Sequence, residues 1–233
     1  MKIKTVPKSY DDVLAIPPEK HQKPNRVSIL FRVLLKLVSL PDLLAVRFHC
    51  NRIGMEKLGK REPCLILMNH SSFVDLEIAA SVLFPRVFNI VATTDGFVGK
   101  RWLMRQIGCF PTQKFVTDLR LVQDMEYCFK KLKSSVLMYP EACYSFDGTA
   151  TTLPAKMGIL LKKYGVPVVM IETFGLFSRN PLYNELQIRK NAKVSAKIRV
   201  LFNQEDIRTK SVQELTEGVE SAFGFDHFAW QKE

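Results

Sequence analysis

Between residues 46 and 202, short apolar runs alternate with longer stretches of helical character, and this alternation restricts the fold more than any other feature of the chain. The runs Val46 to Asn51, Cys64 to Met68, Phe88 to Ala92, Ser135 to Tyr139 and Val166 to Ile171 have the length and composition of buried strands. Helix-like stretches at Val74–Phe84, Phe97–Ile107, Leu119–Leu132 and Pro154–Tyr164 separate them. Later, Val194, Ala196, Ile198, Val200 and Phe202 alternate with more polar neighbours, as in a half-exposed strand, and Ser211 to Phe223 reads as a closing helix. Strands interleaved with helices predict an α/β fold with a mostly parallel, mixed sheet covered by helices. In such sheets ligands bind beyond the carboxyl ends of the strands.

The first 45 residues are organised differently. Pro7, Pro17, Pro18 and Pro24 mark an extended arm, and no apolar leader segment is expected. Val27 to Leu40 then forms a helical pattern with a narrow polar arc of Asn25, Ser28, Arg32, Lys36 and Ser39, and Pro41 is expected to break it. Its apolar arc is wider than one packing face needs. That width favours a helix lying in a membrane interface, apolar side immersed and cations near lipid phosphates, over one merely packed on the domain. Residues 1–45 thus read as an arm with a membrane-interface helix, and 46–233 as the main α/β domain. No uncharged apolar run reaches the length of a spanning helix, so the expected location is peripheral or monotopic, on the cytoplasmic face of a membrane.

Charge narrows the partners. The net charge is +11, and ten Lys or Arg between Lys20 and Arg61 face only Asp42 and Glu56. An anionic membrane surface, a phosphorylated substrate or nucleic acid would suit such a bias. No zinc-module spacing and no RNA-binding aromatic signature accompanies it, which disfavours nucleic acid. The five cysteines are scattered, without metal-ligand spacing, and read as reduced core thiols.

Chemistry concentrates in Asn69-His70-Ser71-Ser72-Phe73-Val74-Asp75, just past the run Cys64 to Met68. Ser71 or Ser72 can cap the following helix, and Asp75 then falls in its first turn. A carboxylate bonded to one imidazole nitrogen fixes the tautomer and leaves the other free to accept a proton. Alone, the segment also fits a capping serine, a surface histidine and an aspartate favoured by the helix dipole. Two further segments matter: Gly108-Cys109-Phe110-Pro111-Thr112-Gln113-Lys114, and Tyr139-Pro140-Glu141-Ala142-Cys143-Tyr144-Ser145 after the run Val136 to Met138. Val166-Pro167-Val168-Val169 follows.

In order and interval, these four blocks resemble those of the glycerolipid acyltransferases of the lysophosphatidic acid acyltransferase family, over about residues 47 to 175. The resemblance implies an O-acyltransferase that moves a fatty acyl chain from acyl-CoA or acyl-carrier protein to the free hydroxyl of a lysophospholipid. It implies 1-acyl-glycerol-3-phosphate as acceptor, His70 as general base oriented by Asp75, and neither a metal nor a resident cofactor. Glu141, Lys114, Tyr144, Ser145 and Gly108 become the expected substrate-binding positions, with Lys114 on the acceptor phosphate. A direct transfer needs no enzyme nucleophile, in keeping with the lack of a Gly-x-Ser-x-Gly elbow. Two departures bear on the acceptor. Lys114 replaces an Arg and loses its planar fork, and Ala142-Cys143-Tyr144 stands where the family has Gly-Thr-Arg. Another lysolipid acceptor, or a non-catalytic lipid-binding protein on the same fold, remains open.

Overall fold

The computed structural model describes residues 9, 11–12, 15, 21–72, 74–113, 118–145, 148–149, 153–179 and 193–224. Among these, seven strands form one sheet: β1 (His49–Ile53), β2 (Leu65–Met68), β3 (Phe88–Thr93), β4 (Cys109–Thr112), β5 (Ser135–Met138), β6 (Val168–Phe174) and β7 (Ser195–Phe202). Their order across the sheet is β1-β7-β6-β2-β5-β3-β4, and every pairing is parallel except β6 with β7. The α/β class and the mostly parallel sheet expected from the sequence are therefore present.

β2 runs through the middle of the sheet, and all four of its residues are buried. This explains its unbroken apolar run: a strand covered on both faces has no polar side to alternate with. Ile66 and Met68 point into one core, shared with α1 (Ile29–Ala45), α2 (Val74–Leu83) and α3 (Arg101–Gln106). Leu65 and Leu67 point into the other, shared with α4 (Leu119–Tyr127), α5 (Met157–Tyr164), α7 (Gln204–Thr209) and α8 (Val212–Phe223). A short α6 (Leu176–Arg179) follows β6.

Several boundaries differ from the sequence expectation. α1 continues through Pro41 to Ala45 instead of stopping. Proline removes one backbone bond there, and packing of Leu43 into the core holds the turn. The stretch 119–132 divides into α4 and a π-helical turn at Cys128–Leu132. β1 begins at His49 rather than Val46, because Arg47 takes a left-handed turn with φ +50°. β4, α6 and α7 were not foreseen. β4 is a four-residue edge strand carrying Pro111, which an edge tolerates and a propensity reading rejects. α7 is six residues, held by a capping box between Asn203 and Asp206.

α1 packs along α2 with its polar stripe inward. Ser39 is fully buried, Arg32 donates to the carbonyl of Pro85, and the Lys36 ammonium lies 4.1 Å from the centre of the Phe84 ring. The cations expected near lipid phosphates are thus turned to the protein. The outer face is apolar: Ile29, Leu30, Val33, Leu34, Leu37, Val38, Leu40 and Leu44 are all exposed. Trp102 of α3, also exposed, meets Phe31 edge-on and extends this surface. No described helix is long and apolar enough to cross a membrane.

Candidate active site

His70 follows β2 and Glu141 follows β5, which are neighbouring strands. From β2 the chain leaves through α2 on one face towards β3; from β5 it leaves through α5 on the other face towards β6. Loops that depart in opposite directions open a crevice at the carboxyl ends of the two strands, the place where open α/β sheets bind ligands.

The turn between β2 and α2 is built on Asp75. Its Oδ2 accepts from the Ser71 N–H at 2.7 Å, the Ser72 N–H at 2.9 Å and His70 Nδ1 at 2.9 Å. The side chain is fully buried, so these bonds are shielded from water. The helix start is thus organised by Asp75 reaching back, more than by the expected serine cap. Ser72 Oγ receives only a long contact from the Val74 N–H, at 3.4 Å. With Nδ1 bonded to a carboxylate, the imidazole presents Nε2 as its acceptor edge.

Asn69, one residue earlier, stitches the end of β2 to β6. Its Oδ1 accepts from the Thr173 N–H and Oγ1, and its Nδ2 donates to the Thr173 carbonyl. The side chain continues the sheet ladder where the backbone turns away. Its place between a buried strand and the histidine was the only sequence signal of this role.

Glu141 is 5% exposed, and its Oε2 accepts from the backbone N–H of His70 at 3.1 Å. It was expected to face the acceptor; the structure sets it first against the main chain of His70. Ala142 takes a left-handed conformation with φ +55°, which folds the loop back over His70. The Ser145 N–H then donates to the His70 carbonyl at 2.6 Å. Ser145 Oγ accepts from the Gly148 N–H and donates to the Thr149 carbonyl, both at 2.9 Å. Its hydroxyl, expected to meet substrate, is bonded within its own loop and buried.

Aromatic rings flank the histidine. Tyr139 lies 3.8 Å and Tyr144 3.6 Å from the imidazole centroid, inclined 19° and 25° to it. Tyr139 was read only as a strand end, although its place directly before Pro140-Glu141 hinted at more. Burial, with Asp75 and Tyr144 adding to it, pushes the Tyr139 phenol well above its ordinary value, so it stays neutral.

Gly108 is not at the site. The pairings place it level with Asn89, Val136 and Leu65, at the amino edge of the sheet. His70 lies five positions beyond Leu65, about 16 Å further along the strand direction. Gly108 has φ +90°, and a Cβ there would run into Val27 of the arm. A close approach of backbone to arm accounts for this glycine. Lys114 lies outside the described residues. Arg105 bonds the Lys23 carbonyl and Asn25 Oδ1 of the arm. Among the cysteines, burial pushes the Cys109 and Cys128 thiols up to about 12, which makes them poor nucleophiles.

A protein-family model described as Acyltransferase matches residues 49–171, which include the His70 turn and the Glu141 loop. The chloroplastic 1-acyl-sn-glycerol-3-phosphate acyltransferase BAT2 of Brassica napus is 30% identical over 128 residues, covering 52% of this chain and 36% of that protein. The chain therefore spans about a third of the length of that relative. The crystal structure of the 1-acyl-sn-glycerophosphate (LPA) acyltransferase PlsC from Thermotoga maritima superposes with a TM-score of 0.63. The match covers 82% of this chain and 76% of that one, at 18% identity, a likeness of fold.

Proposed function

The chain belongs to the acyltransferase family, and from that premise we propose that it transfers a fatty acyl group to the free hydroxyl of a lysophospholipid at a membrane surface. The observation that carries this reading is the 2.9 Å bond from His70 Nδ1 to a buried Asp75, with both held at the crevice between β2 and β5. His70 Nε2 takes the proton of the acceptor hydroxyl as that oxygen bonds to the thioester carbonyl carbon. The tetrahedral intermediate collapses, the C–S bond breaks, and the imidazolium returns its proton to the departing thiolate. Acyl-CoA or acyl-carrier protein supplies the thioester. Asp75 stabilises the imidazolium between the two steps without itself gaining a proton.

1-Acyl-glycerol-3-phosphate is the acceptor this reading favours, in line with the name of the Brassica relative. One observation supports a different lysolipid instead: position 144, where the family carries a phosphate-binding cation, is a tyrosine stacked on His70. The outward apolar face of α1 supports attachment to the membrane that holds such acceptors.

Acyl transfer in mixed micelles tests the proposal, with labelled acyl-CoA, then acyl-carrier protein, offered to lysophosphatidic acid and to a panel of other lysolipids. Transfer to lysophosphatidic acid is expected, and His70→Ala is expected to lower kcat by about 10²- to 10⁴-fold. Silence with every donor and acceptor, in a folded protein that still binds lipid, would hand the reading to a non-catalytic lipid-binding role.

A further inference from the structure

The loop after β5 is wound around His70 rather than set beside it. Glu141 accepts from the His70 N–H, and the Ser145 N–H donates to the His70 carbonyl. The rings of Tyr139 and Tyr144 lie under 4 Å from the imidazole and nearly parallel to it. Two rings that close cannot share one face of a third, so they occupy opposite faces. Asp75 holds Nδ1. Among the described residues, the edge that carries Nε2 is the one left open, consistent with a His70 side chain only 17% exposed.

Resting on the acyltransferase reading above, we propose that Tyr144 is a positioning residue for His70. With Tyr139 it clamps the imidazole, so that an acceptor hydroxyl reaches Nε2 only along the ring plane. The terminal torsion of histidine is broad, and one bond to Asp75 leaves the ring free to swing about it. Proton transfer requires the Nε2 lone pair within hydrogen-bond reach of the hydroxyl and aimed at it. Facing rings remove the swing. Their negative π faces also attract the positive charge that develops on the imidazole during transfer. The same placement turns the residue at 144 away from phosphate recognition: this chain uses the position on its base, and acceptor binding falls to other groups.

Tyr144→Leu and Tyr144→Phe, compared in kinetics and in the NMR shift of the His70 Cε1 proton, test the clamp. His70→Gln assigns the signal. The leucine variant is expected to lose on the order of 10- to 100-fold in kcat, the scale of a misplaced catalytic group, with acceptor KM little changed. It should also lose the ring-current shift that the wild-type proton shows. Phenylalanine should recover most of both losses, because it restores the ring without the hydroxyl. Phenylalanine as impaired as leucine, with a raised acceptor KM, would overturn the clamp and make the Tyr144 hydroxyl a substrate contact. An unchanged proton shift in Tyr144→Leu would overturn it too. The shift is read without turnover, so a wild-type protein that transfers no acyl group sinks the proposed function while the clamp is still decided.

Discussion

At Asp75 one carboxylate oxygen does three jobs: it takes two backbone N–H groups that would otherwise be stranded in the turn, and it fixes the imidazole. These functions separate on substitution. Asp75→Asn keeps the size of the side chain but replaces a charged acceptor with a neutral one. Its amide can also donate to Nδ1, which would favour the wrong tautomer. The expected result is a fall in kcat of at least about 100-fold, by loss of an oriented base. Folding should suffer less, by about 1–3 kcal/mol for weakened bonds to buried N–H groups. Steady-state kinetics beside urea denaturation checks this. Equal loss of activity and of folded protein would mean that Asp75 is only a structural post. His70 and Asp75 were legible from their spacing, because both lie within one turn of chain. Tyr139 and the Ser145 loop were not, since each acts on His70 from another part of the sequence, and Asn69 was not because its partner, Thr173 of β6, lies 104 positions on.

At the level of elements, the contact between α1 and α2 carries a titrating carboxyl, Glu77. Burial, then the neighbouring Asp42 of α1, pushes the Glu77 carboxyl up from 4.5 to about 7. The folded chain therefore holds a proton that the unfolded chain releases between those values. By linkage, the stability from this site is fully present below about pH 4.5, is lost as pH rises through 7, and then levels off. Urea midpoints measured from pH 5 to pH 8 should fall with pH in the wild type, and fall less in Glu77→Gln. The amide keeps a donor for Asp42 without titrating. Parallel slopes in the two proteins would show that Glu77 does not govern the contact. The pair joins residues 35 positions apart, and nothing in either helix alone indicates it.

Across the whole molecule, the helices on one sheet face leave an apolar surface uncovered. α1 turns Leu30 (72% exposed), Leu34 (49%) and Leu37 (57%) outward, while its cations bond the protein. This inverts the usual arrangement of a surface helix. Contiguous exposed apolar surface of this kind marks an interaction site. Replacing these three leucines with serine is expected to weaken binding to anionic vesicles by at least about 100-fold, given the apolar area each would immerse. The thermal midpoint should hardly change, because all three already face outward. Sedimentation with vesicles checks it, and undiminished binding would rule out α1 as the attachment surface.

The sequence by itself determined most of the elements and the chemistry carried by local spacing: a covered parallel sheet, a histidine oriented by an aspartate five residues on, and a glutamate at a later strand end. These follow from periodicity and from groups a single turn can join. Only the tertiary structure decided which way α1 faces, that Gly108 belongs to the arm contact, and that the segment after β5 encloses His70. Those outcomes depend on strand order. Adjacent β2 and β5 bring residues 70 and 141 together, and parallel register sends the start of β4 to the far edge of the sheet. Strand order is set by how whole faces pack, which no local pattern of residues encodes.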